Sequence, residues 1–150
     1  MSAVKVAING FGRIGRSAFK IAWERGDIEV VAVNDLTDTK TLAYLLKHDS
    51  NYGTYDHEVS HDDSSIIVDG RHIRVLAEKD PAVLPWGEMG VDVVIESTGL
   101  FTDAEGAGKH VQAGAKRVVI SGPTKSEGVD MIVLGANDDK VEGSTQVVSN

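Results

Sequence analysis

The sequence is short of several features that would assign it to a particular class of protein. It has no cysteine, which excludes disulfide bonds, thiolate metal sites and a cysteine nucleophile within its 150 residues. Only 5% of its residues are aromatic, three are proline, and no hydrophobic run approaches the length of a membrane span. Basic residues are fewer than acidic ones, 15 against 23. The net charge of −8 argues against nucleic acid or an anionic membrane as the main partner.

What the sequence does contain is typical of a folded, soluble protein. Hydrophobic residues make up 41% of the chain and charged residues 25%, and this length is enough for one domain with a buried core. We therefore expect a single domain over residues 1–150. The first residues enter a short apolar strand and carry no signal-peptide pattern, so we expect a cytoplasmic protein.

The most informative segment is residues 4–15, an apolar strand that runs into three glycines, Gly10, Gly12 and Gly15. In a dinucleotide site the first glycine of such a pattern permits a tight turn. The second lets the backbone approach a pyrophosphate, and the third lets a helix pack close to the strand. Asp35 follows 20 positions after Gly15, where a carboxylate accepts hydrogen bonds from a ribose diol. The pattern predicts a dinucleotide site.

The chain also contains a weak internal repeat. Valine, valine and isoleucine alternate with other residues at positions 4–8 and again at positions 91–95, and a glycine follows each run, at Gly12 and Gly99. Each glycine precedes a segment with helical periodicity and then a strand. The predicted helices are Arg13–Arg25 and Asp103–Ala113, each ending at a glycine (Gly26 and Gly114), and the predicted strands are Ile28–Asn34 and Arg117–Ser121. Two strand–helix–strand units predict parallel pairing.

Between the two halves, the sequence predicts a helix over Thr39–His48, with Thr37 or Asp38 as its cap. Residues 66–75 predict an antiparallel hairpin with a tight Asp-Gly turn. Two further short strands are expected at Met131–Leu134 and Thr145–Ser149. Together the elements predict a Rossmann-type α/β fold, a doubly wound, mostly parallel sheet with a small antiparallel hairpin insertion.

Two arginines follow the glycine turn, in the first turn of the predicted helix, where the helix dipole disfavours cations by up to ~1 kcal/mol. A pyrophosphate at the helix N-terminus would offset this cost. We therefore expect Arg13 to contact it, and the backbone N–H groups of Arg13 and Ile14 to point towards it. The alternative, for both Arg13 and Arg16, is a salt bridge to a surface carboxylate such as Glu24 or Asp27.

Asn34 and Asp35 stand at the end of the second strand. A carboxylate beside the adenosine ribose disfavours a 2′-phosphate, because two like charges ~4 Å apart cost about 4 kcal/mol at an effective dielectric near 20. NAD is therefore the expected cofactor, rather than NADP. The alternative for Asp35 is a turn or cap residue, a role that aspartate often has at strand ends.

The second half of the repeat supplies candidates for the opposite wall of the site. Thr98 and Phe101 suit an adenine wall, although Thr98 or Ser97 is equally a candidate helix cap and Phe101 a candidate core residue. Ser121 ends the next strand, where a nicotinamide would lie across a switch-point crevice.

Residues 57–63 raise a separate hypothesis, because they contain two histidines and two aspartates, His57, His61, Asp62 and Asp63. These residue types are those of a metal site, but the stretch is polar and gives no helical support for the spacing. A solvated loop is the favoured interpretation, and no metal is predicted.

Longer motifs point to one enzyme family. They are Ile8 to Arg16, Asn34-Asp35, Glu78 to Pro81, Leu84 to Gly87, Glu96 to Phe101 and Gly108 to His110. Together they resemble glyceraldehyde-3-phosphate dehydrogenase, and the resemblance covers the entire chain. The last residues, Val148-Ser149-Asn150, resemble the start of that family's active-site motif. The chain is therefore expected to stop just before the family's cysteine nucleophile.

The resemblance implies an enzyme that oxidises glyceraldehyde 3-phosphate with NAD and inorganic phosphate to 1,3-bisphosphoglycerate, as a homotetramer in glycolysis. In that family a cysteine thiolate attacks the aldehyde and hydride passes to the nicotinamide. Phosphate then cleaves the thioester, with a histidine as base. No histidine of this sequence matches that base, so no catalytic residue is assigned. The resemblance thus implies an NAD-binding domain over residues 1–150, with the catalytic domain absent.

Carried over residue by residue, the family's cofactor contacts fall on Arg13 and Ile14 for the pyrophosphate, Asp35 for the ribose, Lys79 near the adenine and Ser121 near the nicotinamide. Lys79 stands where the family usually has arginine, and it lacks the planar, stacking guanidinium. The related erythrose-4-phosphate dehydrogenases tend to have glutamate in place of Asp35, so the triose phosphate enzyme is preferred. The other alternative is a stand-alone NAD-binding module without catalysis.

Overall fold

The computed structural model describes residues 2–150, which form an α/β fold with one large sheet and a separate two-stranded hairpin. The helices are α1 (Arg13–Trp23), α2 (Thr39–Lys47), α3 (Trp86–Met89) and α4 (Ala104–Gln112), with single 3-10 turns at Pro81–Val83 and Asp138–Lys140. The strands are β1 (Val4–Asn9), β2 (Ile28–Asn34), β3 (His48–Asp49), β4 (Gly53–Thr54), β5 (Val59–His61), β6 (Ser65–Val68), β7 (Arg71–Leu76), β8 (Val93–Glu96), β9 (Arg117–Ile120), β10 (Asp130–Met131) and β11 (Val147–Ser149).

The large sheet has the strand order β10-β11-β9-β8-β1-β2-β7-β6-β5. Neighbours from β10 to β7 run parallel, whereas β6 and β5 extend the sheet in antiparallel fashion. The chain leaves β1 towards β2 on one side and later returns to β8 on the other. The carboxyl ends of β1, β2 and β8 therefore flank a switch point, where open α/β sheets bind ligands. The predicted Rossmann-type fold class is confirmed.

The strands of the two repeat copies, β1 and β8, pair directly with each other. Val6 lies beside Val93 and Ile8 beside Ile95 in the parallel β1–β8 ladder, so equivalent positions of the two halves are neighbours. On the other side of β1, the register with β2 shifts between Val6 and Ala7. The run of apolar residues in these strands matches burial on both faces, as expected for the centre of a parallel sheet.

Two apolar layers cover the two faces of the sheet. On one face Val6 and Ile8 pack with residues of α1 and α2, the buried ones being Phe19, Ala22, Leu42, Ala43 and Leu46. On the other face Ala7, Ala32 and Val94 pack with Leu84, Trp86, Val91 and Ala115. A separate cluster joins Ala107 of α4 to Val118 and Ile120 of β9 and to Val129. Alternation along β1 sends successive side chains to opposite layers, which is the doubly wound arrangement.

Several predicted elements are found with their predicted caps. Asp38 is the N-cap of α2, and its side chain accepts from Thr41 N at 2.9 Å. The predicted hairpin is β6–β7, turning at Asp69 and Gly70 with φ of 49° and 78°, as a type I′ turn requires. Its second strand pairs in parallel with β2, so the hairpin continues the main sheet. Gly114 follows α4 with φ of 105°, as predicted for a helix stop.

Other boundaries were predicted wrongly. α1 ends at Trp23 rather than Arg25, and Glu24 rather than Gly26 closes it. The strand expected over Met131–Leu134 is only β10, because the chain folds back at once. The Asn137 side chain accepts from Val133 N at 2.6 Å and donates to Met131 O at 2.9 Å. Ile132 N still donates to Ser149 O of β11 at 2.7 Å, and the local hydrogen bonds replace the strand ladder from Val133 onwards. The short β3, β4 and β5 strands were not predicted.

Candidate functional site

The glycine turn joins β1 to α1, and the surroundings of its three glycines differ. Gly10 has φ of 88°, and a Cβ there would lie 2.7 Å from Thr98 N. A Cβ on Gly15 would lie 2.2 Å from Gly10 O, so α1 packs directly against the turn. Gly12 is the N-cap of α1, and a Cβ there meets no atom of residues 2–150 within 4 Å. The backbone at Gly12 is therefore open to a ligand.

Asp35 ties the glycine turn to the end of β2. One carboxylate oxygen accepts from Phe11 N at 2.8 Å, and the other accepts from Thr37 N at 3.0 Å. Asp35 therefore has the turn role that was the alternative in the sequence. Each carboxylate oxygen has a second lone pair, so the carboxylate still has acceptor capacity for a ribose diol.

The two arginines of the first helical turn have partners within the chain. Arg13 donates to Ser50 Oγ at 3.1 Å, and its guanidinium lies 3.8 Å from Asp49. Arg16 donates to Phe11 O at 2.9 Å, and burial lowers the pKa of its guanidinium. Arg13 thus has a carboxylate partner, as in the predicted alternative, but the partner is Asp49, whose side chain is only 8% exposed.

The carboxylates proposed for those salt bridges are engaged elsewhere. Glu24 lies 2.6 Å from a ring nitrogen of His57, and Asp27 receives two hydrogen bonds from Arg25. The fold instead brings the β3–β4 hairpin, which carries Asp49, to the start of α1.

A cleft of about 490 Å³ opens at the carboxyl ends of β1, β2 and β8. It is lined by seven of the eleven predicted cofactor-binding residues, Gly10, Gly12, Asn34, Asp35, Lys79, Thr98 and Phe101, together with Asn9, Leu36, Glu78, Ser97 and Leu100. Arg13 and Ile14 are exposed just beyond Gly12, and Gly15 is buried behind it. The structure therefore brings the glycine turn, Asp35 and the second-half residues together at one opening.

Ser121 does not line the cleft but follows β9 directly and contacts Ser97, which does line it. The Ser121 hydroxyl donates to Glu96 O at 3.1 Å and lies 3.0 Å from Ser97 Oγ. Phe101 packs over the start of α4, where a Cβ on Gly106 would lie 3.2 Å from Phe101 Cβ. Phe101 thus packs against α4 and also lines the cleft.

Beneath the cleft lies a buried polar network that begins at the strand ends. Asn34 Nδ2 donates to Asn9 Oδ1 at 2.7 Å and to Glu78 O at 2.9 Å, and Asn34 Oδ1 accepts from Glu78 N at 2.8 Å. Asn9 Nδ2 in turn donates to Glu96 Oε2 at 2.6 Å. The ends of β1, β2 and β8 are therefore linked through side chains as well as through the sheet ladder.

The network continues into the helical layer. Glu96 Oε2 also accepts from His110 Nε2 at 2.7 Å, and Trp86 Nε1 donates to His110 Nδ1 at 2.9 Å. The other oxygen, Oε1, accepts from Thr98 N at 2.9 Å and from the Thr98 hydroxyl. Glu96 and His110 have side-chain exposures of 0%, so this carboxylate is buried and fully hydrogen-bonded.

The cleft fits a dinucleotide in shape and in donor chemistry. α1 begins at the cleft, and among the described residues no side chain caps its N-terminus. Free N–H groups at a helix N-terminus bind phosphate, and the open backbone at Gly12 leaves room for it. Another cleft, of about 580 Å³, lies between α2 and β5, and no residue of the glycine turn lines it.

The sequence model for the NAD-binding domain of glyceraldehyde 3-phosphate dehydrogenase matches residues 4–104. The chain belongs to this family. Its cofactor is NAD, and the matched segment contains the glycine turn, Asp35 and Glu96.

Curated glyceraldehyde-3-phosphate dehydrogenases are similar over almost the whole chain. The Geobacillus stearothermophilus protein is 57% identical over 149 residues, which is 99% of this chain and 44% of the relative. The Borreliella burgdorferi protein is 55% identical over 98% of this chain and 45% of the relative, and the Thermotoga maritima protein is 53% identical over 97% and 44%. The chain thus spans less than half the length of these glyceraldehyde-3-phosphate dehydrogenases.

Several functional candidates of this dehydrogenase domain were missed at the sequence level. Asn9 and Glu96 belong to the motifs that carried the family resemblance, but they were given no role. A polar residue that ends an apolar strand was the available signal. Trp86 and His110 gave no such signal, because their contact joins residues 24 positions apart through the tertiary fold.

The metal hypothesis for residues 57–63 has no structural support. Within residues 2–150, no group of three or more histidine, cysteine or acidic side chains is placed to hold a metal ion. Both ring nitrogens of His57 lie 2.6 Å from carboxylates, those of Asp69 and Glu24. In the same described range, no helix is long and apolar enough to cross a membrane.

Proposed function

We propose that this chain is the NAD-binding part of a phosphorylating glyceraldehyde-3-phosphate dehydrogenase. Such an enzyme oxidises glyceraldehyde 3-phosphate with NAD and phosphate to 1,3-bisphosphoglycerate in glycolysis. Residues 1–150 form the NAD-binding domain in this proposal. The catalytic domain corresponds to the part of the relatives that the chain does not span. The complete enzyme is proposed to be a cytoplasmic homotetramer.

The observation that carries the proposal is the open backbone at Gly12, placed at the start of α1 and in the same cleft as Asp35. NAD, when bound, supplies the acceptor for a hydride. We assign Gly10 and Gly12 to the turn around the pyrophosphate. The N–H groups of Arg13 and Ile14 are assigned to its oxygens.

The remaining assignments follow the two walls of the cleft. Asp35 is proposed to accept from the adenosine ribose, beside Asn34 at the end of β2. Lys79, Thr98 and Phe101 are proposed to surround the adenine end. Ser121 is proposed to face the nicotinamide end, and Gly15 supports the turn from behind.

The proposal is tested by calorimetric titration of the 150-residue chain with NAD and, separately, with NADP. We expect saturable binding of NAD and at least about tenfold weaker binding of NADP, because Asp35 disfavours a 2′-phosphate. Equal affinity for both cofactors would contradict the role of Asp35. Binding of neither, in a chain that melts cooperatively, would contradict the proposal that this chain alone forms the site.

The Asp35→Ala variant tests the assigned ribose contact. We expect NAD binding to weaken by about 1.5–3 kcal/mol, the scale of lost charge-assisted hydrogen bonds, and the preference over NADP to narrow. The matched control is Asp63→Ala, which removes one exposed carboxylate outside the cleft and is expected to leave both affinities unchanged. If Asp35→Ala keeps the wild-type preference, another group selects the cofactor.

The second candidate is a stand-alone NAD-binding module without catalysis, and the observation that favours it is the lack of cysteine in this sequence. Both candidates predict the same cofactor titration. They differ in whether the chain acts together with a catalytic domain. Restored activity on mixing this chain with the remaining part of a relative would favour the first candidate over the second.

A further inference from the structure

The Glu96 carboxyl group is a buried acidic group to which the cofactor assignments give no role. Its side chain is 0% exposed, and burial of an ionised carboxylate is costly unless hydrogen bonds compensate it. Three series of hydrogen bonds, each called an arm, reach this carboxylate from different parts of the fold. The chemistry of the outer ends of these arms fixes the direction of every hydrogen bond in them.

The first arm starts at Trp86 on α3. An indole N–H is only a donor, so His110 Nδ1, which lies 2.9 Å from Trp86 Nε1, must accept. His110 Nε2 then carries the ring proton and donates to Glu96 Oε2 at 2.7 Å. The arm therefore fixes His110 as the neutral tautomer protonated at Nε2.

The second arm starts at the backbone N–H of Glu78, which is also only a donor. It donates to Asn34 Oδ1, so the opposite atom, Asn34 Nδ2, donates to Asn9 Oδ1. The Asn9 amide is thereby oriented with Nδ2 towards Glu96 Oε2, at 2.6 Å. Both asparagine side-chain amides are fixed by a backbone group that cannot reverse its polarity.

The third arm is Thr98, whose backbone N–H and hydroxyl both donate to Glu96 Oε1. All three arms thus end at Glu96 as donors. A group that accepts at both oxygens, as an ionised carboxylate does, satisfies them together. The side chains held by these bonds stand at the two walls of the cleft: Asn9 directly precedes Gly10, and Thr98 faces it.

We propose that Glu96 is a positioning residue of the cofactor site, whose buried carboxylate holds the glycine turn through Asn9 and the facing wall through Thr98 at the spacing that NAD requires. The proposal rests on the proposed function of the cleft. Glu96 does not line the cleft, and it acts through residues that do.

The test is the Glu96→Gln variant, which keeps the shape and removes the second acceptor. In either orientation, the new amide N–H₂ faces a fixed donor, His110 Nε2 on one side or Thr98 N on the other. We expect the folded variant to bind NAD at least about tenfold more weakly, because an unmet buried donor forces one wall to move. The matched control, Glu105→Gln, removes an exposed carboxylate of α4 and is expected to keep the wild-type affinity.

Calorimetry of NAD binding is combined with urea unfolding, so that the affinity is corrected for the fraction of folded chain. A structural role alone predicts lower stability and wild-type affinity of the folded fraction, which would overturn the proposal. If Glu96→Gln does not fold, the Glu96→Asp variant tests the positioning role instead. It keeps the anion but retracts it by one methylene, and we expect roughly threefold to tenfold weaker NAD binding. Wild-type affinity in Glu96→Asp would equally overturn the proposal.

Nitrogen-15 NMR of the histidine rings gives a readout that does not depend on a cofactor. At pH 7 the wild-type chain is expected to show His110 protonated at Nε2 and unprotonated at Nδ1, and a proton on Nδ1 would overturn the assigned hydrogen-bond directions. Failure of the proposed function is distinguishable, because it appears as absent NAD binding in the wild-type chain. Failure of the positioning role appears as unchanged affinity in a folded variant.

Discussion

At residue scale, Gly12 and Gly15 show how one motif combines two unrelated requirements. Gly12 stands in open space at the N-terminus of α1, whereas a Cβ on Gly15 would lie 2.2 Å from a backbone oxygen of the same turn. The first glycine is needed only when a ligand is present, because nothing in the described chain fills the space. The second is needed for the helix to pack at all.

This difference predicts opposite phenotypes for two alanine variants. We expect Gly12→Ala to lower the free energy of unfolding by less than about 1 kcal/mol, the scale of a changed N-cap, and to weaken NAD binding at least about tenfold. Gly15→Ala is expected to lower the free energy of unfolding by about 2 kcal/mol or more, because the backbone must shift. Urea unfolding and calorimetry separate the two effects.

Each variant serves as the control for the other. A stable Gly15→Ala chain would contradict the close packing of α1 on the turn. Wild-type NAD affinity in Gly12→Ala would show that the pyrophosphate lies away from this backbone.

At the scale of elements, predictability followed hydrophobic periodicity. β1, β2, α2, α4 and the β6–β7 hairpin were predicted because each has a long apolar pattern or a cap with a clear mechanism. β3 and β5 were missed because each has only two or three residues, and tertiary pairing rather than an apolar pattern makes them strands. The motif glycines and Asp35 were predicted because they form a local sequence pattern. The partner of Arg13 was not, because the tertiary fold brings Asp49 to it.

A cluster that joins three elements predicts a pH dependence of stability. His57 lies 2.6 Å from both Asp69 in the β6–β7 turn and Glu24 at the end of α1, and hydrogen bonds to Asp69 and then Glu24 raise its pKa. The folded pKa thus lies above the unfolded value near 6.5. The stabilisation is fully present below about pH 6.5 and is lost as pH rises through the folded pKa.

The measurement is the difference in free energy of unfolding between the wild type and His57→Gln across about pH 5.5 to 9. Because His57 is partly exposed, we expect a difference below about 1 kcal/mol at the acid end, shrinking as pH rises. Asp69 stays ionised throughout, since His57 lowers its pKa. The control is His61→Gln, at an exposed position of β5. A difference that grows with pH would contradict a charged His57.

At the scale of the whole molecule, the cleft proposed to bind NAD stands in a chain that contains no cysteine nucleophile. The chain spans 44% of the Geobacillus stearothermophilus relative. The fold class and the cleft were predictable because they depend on local patterns within this chain. The role of the buried network was not, because it depends on hydrogen bonds between residues as far apart as Asn9 and Glu96.

We therefore predict that this chain alone produces no NADH from glyceraldehyde 3-phosphate and phosphate, although it binds NAD. The expected rate is that of the reaction without protein, measured by absorbance of NADH, because no thiolate is present to attack the aldehyde. A full-length relative under the same conditions is the positive control. Turnover by this chain would contradict the requirement for a cysteine nucleophile.

The two tryptophans lie one on each face of the sheet. Trp23 stacks on Phe19 in the α1–α2 layer, and Trp86 is buried in the opposite layer. Each layer therefore carries its own intrinsic fluorophore. Emission from Trp23→Phe and Trp86→Phe chains would follow the unfolding of each layer separately, and coincident transitions would show that the two layers melt as one cooperative unit.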